Sequence, residues 1–174
     1  MTNLTGTRVS SITNKPQDIV GRGAFNDVVH CIQGTIAVAA GNLTTSDVVY
    51  VTPVPWNAKI HEIILFNDDL DSNATPTLAA HVGLHKMLRD GTFSALDNAV
   101  YATAITTFQA ANTAGVNVAF EARDINKIGQ TVVTDAGLTG IPSDGGIAIL
   151  SITMSTGAAT AAAGDISYVI RYSE

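Results

Sequence analysis

Asp69, Asp71 and Asn73 carry oxygen ligands at alternate positions in the stretch DDLDSNATPTLAA. This spacing matches the first three ligand positions of an EF-hand calcium loop. That loop also requires glycine at its sixth position and a bidentate glutamate at its twelfth, where this chain has Ala74 and Ala80. Aspartate and asparagine are equally favoured in turns, because their side chains bond to nearby backbone groups. We therefore predict a turn and no metal site, with a looser calcium site at Asp69, Asp71 and Asn73 as the alternative.

Two histidines, His81 and His85, follow this stretch four residues apart. In a helix that spacing would place both imidazoles on one face, where they could share a metal ion. The residues around them alternate in character with a period of two, which is typical of a strand. Four residues of strand span about 13 Å, which is too far for two ligands of one ion. The glutamate of the H-E-x-x-H zinc motif is also replaced, by Val82. We predict strand histidines without a metal.

Signatures of nucleophilic catalysis are missing from the sequence. Cys31 is the only cysteine, and it lies between Val29 and Ile32, an environment that predicts a small core hydrophobe. No serine lies in a G-x-S-x-G motif, which would place a nucleophile on a strained turn. We therefore predict no catalytic residues, no cofactor and no enzymatic activity.

The composition limits the partners that the chain could bind. Its 174 residues suffice for one domain with a hydrophobic core. Only 14% of the residues are charged, the net charge is −6, and the nine lysines and arginines are scattered. Nucleic acids and anionic membranes attract basic patches, so neither is predicted as a partner. Because 46% of the residues are hydrophobic, we expect this weakly charged surface to be partly buried against other copies or a larger assembly.

The pattern of the chain predicts a mainly β fold. Residues 1–32 are polar, contain glycine and proline, and show no sustained period, so we predict an extended N-terminal arm. Residues 33–174 contain about seven short alternating runs, separated by turns roughly every 8–12 residues. This spacing predicts an antiparallel β-sandwich of the jelly-roll type. The clearest alternation is in the last run, DISYVIRYSE, where one face carries Ile166, Tyr168, Ile170 and Tyr172.

A short helical insertion is predicted inside the sandwich. Gly115 closes a segment, 92–115, whose apolar residues recur at four-residue steps. These residues are Leu96, Val100, Ala104 and Phe108. A second short helix is predicted around Ile125 and Ile128. The segment PVPWNA contains two prolines, which predicts that it crosses between the sheets and lies outside any sheet interior.

Several stretches of the chain resemble small structural proteins of tailed bacteriophages. VVYVTPVPWNAKIHEIILFNDDLDSNATPTLAAHVGL is similar to a segment in which a strand, a proline-containing turn, a strand, D-L-D-S and T-L-x-x-x-V-G follow one another. EARDINKIGQTVVTDAGL and TAAAGDISYVIRY resemble later parts of the same proteins. The resemblance covers most of the chain after about residue 33 and leaves the arm unmatched. It implies a virion component, either a head decoration (cement) protein or part of a head or tail fibre.

For a decoration protein, the resemblance implies a position on the capsid surface after synthesis in the bacterial host cytoplasm. The expected partners are the major capsid protein and further copies of this chain, as a homotrimer at three-fold positions. The arm would then lie across neighbouring subunits and add its backbone to a sheet edge. We expect its contacts to be made by Arg8, Ile12, Pro16, Ile19, Val20 and Phe25. The alternative is an arm that contacts no partner.

The competing function is a fibre or adhesin-like module that binds calcium or a host glycan. Calcium would bind at the loop that contains Asp69, Asp71 and Asn73. A glycan would stack on Tyr50 and Trp56. For Trp56, we favour a packed corner position between two prolines.

Overall fold

The computed structural model describes residues 28–174, which form two four-stranded sheets packed as a sandwich. The strands are β1 (His30–Val38), β2 (Val48–Val54), β3 (Lys59–Asn67), β4 (Ala79–Met87), β5 (Phe93–Ile105), β6 (Asn112–Asn117), β7 (Ile147–Thr156) and β8 (Gly164–Ser173). β1 thus begins three residues before the boundary expected between the arm and the sandwich domain.

The strand order is that of an eight-stranded jelly roll. The first sheet has the order β1-β8-β3-β6 and the second sheet has the order β2-β7-β4-β5. All neighbouring strands pair antiparallel. Among the described strands, only β4 and β5 follow each other within one sheet, so most connections cross the sandwich. The predicted antiparallel, jelly-roll-like sandwich is confirmed.

The core lies between the sheets and is built from alternate residues of each strand. Ile63 and Leu65 of β3 and Val82 and Leu84 of β4 are fully buried. Burying each such side chain stabilises the folded state by roughly 1.5–3 kcal/mol. The face predicted from the alternation in β8 is buried throughout, at Ile166, Tyr168, Ile170 and Tyr172.

The helix predicted within 92–115 is wrong. This segment forms β5, a 3₁₀ turn at Thr107–Gln109, and β6. A four-residue repeat is also a multiple of the two-residue period of a strand, so the same apolar spacing suits both structures. The helical insertion lies further along the chain, where the second short helix was predicted. It consists of a 3₁₀ turn at Ile125–Lys127 and a four-residue helix, α1 (Val132–Asp135).

Two further expectations, that the PVPWNA segment lies outside the sheets and that Cys31 lies in the core, are corrected by the structure of two edge strands. Pro53 lies within β2, opposite Ile149 of β7. A proline is tolerated there because β2 is at the edge of its sheet. Cys31 is exposed on β1 and does not lie in the core, because its side chain falls on the outer face of another edge strand.

Residues 28–174 contain no helix that is long and apolar enough to cross a membrane.

Candidate interaction surface

Asp71, one of the three calcium candidates, is a buried anchor between two loops. Its Oδ2 accepts hydrogen bonds from the backbone nitrogens of Thr77 (2.7 Å), Leu78 (3.0 Å) and Ala159 (3.0 Å). Its Oδ1 accepts one from the backbone nitrogen of Thr160 at 2.8 Å. The side chain therefore fixes the β3–β4 loop to the β7–β8 loop at one end of the sandwich.

The electrostatics of Asp71 follow from these four donors. Burial raises the pKa of Asp71, but the backbone N–H groups outweigh burial and hold the pKa well below its usual range. Asp69 and Asn73 each accept a hydrogen bond from the backbone nitrogen two residues ahead, at Asp71 and Thr75. Asn73 Nδ2 also donates to Thr160 Oγ1 at 2.8 Å, which adds a second link to the β7–β8 loop. Within residues 28–174, no three His, Cys, Asp or Glu side chains form a group that could hold a metal ion.

His81 and His85 lie on β4, as predicted, and each has a structural partner. His81 Nδ1 accepts a hydrogen bond of 3.1 Å from the backbone nitrogen of Ala104, which has a left-handed backbone with φ of 51°. His85 Nδ1 lies 2.8 Å from Ser151 Oγ, and that hydroxyl donates to the carbonyl oxygen of Gly83. Burial lowers the pKa of His85, so its neutral form is favoured.

An aromatic patch, formed by Tyr50, Phe93 and His85, covers part of the outer face of the second sheet. The Tyr50 and Phe93 rings stack with centroids 3.7 Å apart, and the His85 ring lies nearly perpendicular to Tyr50 with centroids 5.4 Å apart. Tyr50 is 37% exposed and Phe93 41%. Trp56 has a different role, because its indole Nε1 donates to the carbonyl oxygen of Gly146 at 2.9 Å and its side chain packs against the core.

A buried ionic network was missed by the sequence analysis. Arg123 forms an ion pair with Asp135, and both side chains are only 1% exposed. Arg123 Nη2 also donates to the carbonyl oxygen of Ile60 at 2.7 Å, and Tyr101 Oη donates to Asp135 at 3.1 Å. The guanidinium lies over the ring of Phe120, 4.8 Å from its centroid. The network ties the α1 segment to β3 and β5.

Burial shifts the pKa of both acidic groups of this network upwards. It raises the pKa of Tyr101 well above its ordinary value. It also raises the pKa of Asp135, which the charge of Arg123 opposes. The charged pair is held by hydrogen bonds to Tyr101 and to the backbone of β3, which makes it a structural element.

The predicted arm contacts (Arg8, Ile12, Pro16, Ile19, Val20 and Phe25) lie outside the described residues. The described chain begins at Val28 and Val29, whose side chains are 69% and 56% exposed. They lead directly into β1, at the edge of the first sheet. Residues 28 and 29 therefore continue in the chain into an edge strand.

The comparisons with known proteins concern the fold. No family model and no curated protein matches the chain. The chain is similar to a chain in the cyanophage Pam1 capsid asymmetric unit, with 24% identity, a TM-score of 0.56 and 86% of each chain covered. It is also similar to a chain in the capsid of Ralstonia phage GP4, with 22% identity, a TM-score of 0.60 and 84% of each chain covered. The jelly roll is thus shared over most of the length of all three chains.

Proposed function

We propose that this protein is a non-enzymatic structural component of a phage virion, and that it is a capsid decoration protein. The observation that carries the proposal is the length-matched fold similarity to chains from two phage capsids, which covers 86% and 84% of each chain. Because the match covers most of this chain and most of each capsid chain, it supports a protein of the same kind better than a single module shared by unrelated proteins. Fold alone does not specify function, so the surface must supply the remaining support.

The internal anchors and the exposed apolar residues of the sandwich suit a mechanical role. The Asp71 anchor fixes one end of the sandwich, and the Arg123–Asp135 pair fixes the α1 segment. Such a rigid body can transmit force between the subunits that it contacts. The aromatic patch and the exposed valines at 28 and 29 offer apolar contact area, and aromatic side chains are enriched at protein interfaces.

The proposed mechanism is the bridging of neighbouring capsomers. The arm, through Arg8, Ile12, Pro16, Ile19, Val20 and Phe25, would bind the major capsid protein or an adjacent copy, while the sandwich lies on the capsid surface. Buried area across capsomer boundaries opposes the pressure of packaged DNA. A homotrimer at three-fold positions fits this role, because closed symmetry lets three identical arms engage equivalent sites. Synthesis takes place in the host cytoplasm, before the protein joins the head.

Quantitative mass spectrometry of purified virions tests the proposal through the copy number of this chain relative to the major capsid protein. We expect a ratio near one, or a simple fraction such as one third, as decoration of an icosahedral lattice requires. A few copies to a few tens would place the protein in a fibre, portal vertex or tail, and would contradict a decoration role. Absence from the particle would overturn the virion assignment and favour the calcium-binding or glycan-binding module.

A binding experiment tests the arm separately. Capsids that lack this chain are incubated with the full chain or with residues 28–174, and the bound protein is measured after sedimentation. We expect the full chain to bind and the shortened chain to bind at least tenfold more weakly. Equal binding of the two would show that the sandwich alone makes the capsid contact.

A further inference from the structure

The free edges of the two sheets differ in how they are protected. Among residues 28–174, β1 and β6 are the edge strands of the first sheet, and β2 and β5 are those of the second. An edge strand exposes unpaired backbone N–H and C=O groups that can pair with another chain. Proteins prevent such pairing with short strands, bulges, prolines and charged side chains.

Three of the four edges carry such features. β2 contains Pro53 and a register shift between Tyr50 and Thr52. β5 shifts its register against β4 three times. β6 has only six residues, a register shift in β3 opposite it, and Gly115 in a left-handed conformation with φ of 78°. None of these strands offers a long regular edge.

β1 differs from the other edges on every count. Its nine residues, HCIQGTIAV, pair with β8 in one continuous register without a bulge. The strand contains no proline and no Asp, Glu, Lys or Arg. Ile32 and Ile36 pack against the core but remain half-buried. An uncharged, regular edge with incompletely covered apolar side chains is suited to pairing with a further strand.

We propose that β1 pairs antiparallel with β1 of a second copy, across a two-fold axis at Gly34. The sequence of β1 is self-complementary about this residue. In that register Ile32 lies opposite the partner's Ile36, and Gln33 lies opposite the partner's Thr35. Each pair joins residues of the same character, and no like charges meet. A two-fold interface requires such self-complementarity, because the same surface is used by both copies.

The pairing also accounts for other features of this edge. It joins the first sheet of one copy to the first sheet of the other, which gives one eight-stranded sheet, and it satisfies the outward-facing backbone groups of β1. The half-buried Ile32 and Ile36 receive cover on their open side. The exposed Val29 comes opposite the partner's Ala39, which is still extended, so apolar residues also meet beyond the strand end. The contact does not depend on a role in the virion, and it can join monomers or larger units such as trimers.

Charge variants at the central pair test the proposal in the full chain. In Gln33→Lys/Thr35→Lys, lysines of the two copies lie directly opposite each other and repel. In the matched variant Gln33→Lys/Thr35→Glu, the same positions bring opposite charges together. We expect the wild type and the Lys/Glu variant to have at least twice the mass of the Lys/Lys variant by light scattering, with similar thermal unfolding of all three. Equal masses for all three proteins would overturn the proposal.

A disulfide tests the register independently of charge. The native Cys31 lies opposite the partner's Ala37, at a Cα separation of about 4.5–5.5 Å that a disulfide can span. We expect Ala37→Cys to form a covalently linked dimer on mild oxidation. Thr35→Cys is the control, because its thiol lies diagonal to the partner's Cys31 at about 7–8 Å. No linked dimer from Ala37→Cys, or equal linkage in the control, would overturn the register. An edge occupied by residues 1–27 of the same chain would give the first of these results.

Discussion

The carboxylate of Asp71 accepts a hydrogen bond of 2.8 Å from the backbone nitrogen of Thr160, 89 positions away in the sequence. The same carboxylate also receives the backbone nitrogens of Thr77, Leu78 and Ala159. One buried side chain thus binds four backbone donors of two irregular loops, in addition to the backbone bridge between Asp71 and Ala161.

Replacing Asp71 should therefore destabilise the fold. Asp71→Ala leaves four backbone donors without their charged acceptor, and we expect the free energy of unfolding to fall by about 2–4 kcal/mol. Asp69→Ala is the matched control, because Asp69 is exposed and accepts one local bond. We expect that variant to lose less than about 1 kcal/mol. Urea denaturation measures both values, and equal losses would contradict the anchor role.

The stability of the protein should depend on Asp71 at acidic pH. The pKa of this group is lowered in the folded state, so its stabilisation is complete above its unfolded pKa of roughly 3.9. That stabilisation is lost as the pH falls below this value towards the folded pKa. We expect the stability of Asp71→Asn to change less than that of the wild type between roughly pH 5 and pH 2. Asp47, Asp90 and Asp144, whose pKa values are also lowered, contribute equally to both proteins.

Calcium should leave the melting temperature unchanged. Both oxygens of Asp71 are occupied by backbone donors. Asp69 and the side-chain oxygen of Asn73 each accept a local backbone hydrogen bond, and the Asn73 amide donates to Thr160 Oγ1. A ligand raises the melting temperature only when it binds the folded state. We expect the same thermal unfolding in millimolar calcium and in chelator. A melting temperature that is higher in calcium than in chelator, with no such difference in Asp69→Asn, would instead support a calcium site and the adhesin-like alternative.

Breaking the Arg123–Asp135 pair should cost more than breaking a surface pair. Arg123→Met leaves the buried Asp135 carboxylate without its counter-charge, and we expect a loss of about 3–5 kcal/mol. The control is Arg171→Met, which removes the exposed pair between Arg171 and Glu62 and should cost less than about 1 kcal/mol. Chemical denaturation compares them, and a small effect of Arg123→Met would contradict a structural role for the network.

Gly83 should tolerate no side chain. A Cβ at this position would lie 2.1 Å from the carbonyl oxygen of Asp97, because the irregular strand β5 crosses close to β4 there. We expect Gly83→Ala to lose at least about 1–3 kcal/mol, as overpacked sites do. Gly41→Ala is the control, since a Cβ there meets nothing within 4 Å. A thermal unfolding midpoint that is unchanged in Gly83→Ala would contradict the close approach.

The sequence predicts the fold better than it predicts the site residues, for physical reasons. Alternation in β8 is sufficient to identify its buried face, because Ile166 and Ile170 lie on the same side of the strand and are both removed from water when that side faces the core. The four-residue repeat in 92–115 is ambiguous, because it fits both a helix and a strand. The partners of Asp71 are backbone groups that any residue supplies, so only its burial distinguishes it from other turn residues. The other partners of Arg123 and Asp135 lie on β3 and β5, far away in the sequence, and neither residue has a local motif.

The last strand in the sequence completes the first sheet. β8 lies between β1 and β3, and His30 at the start of β1 pairs with Tyr172. During translation, β1 leaves the ribosome well before its partner, and residues 39–163 must be synthesised in between. At common elongation rates this delay is on the order of ten seconds. The first sheet can therefore close only after β8 has been synthesised, and a chain terminated before residue 164 would lack the strand with which β1 pairs.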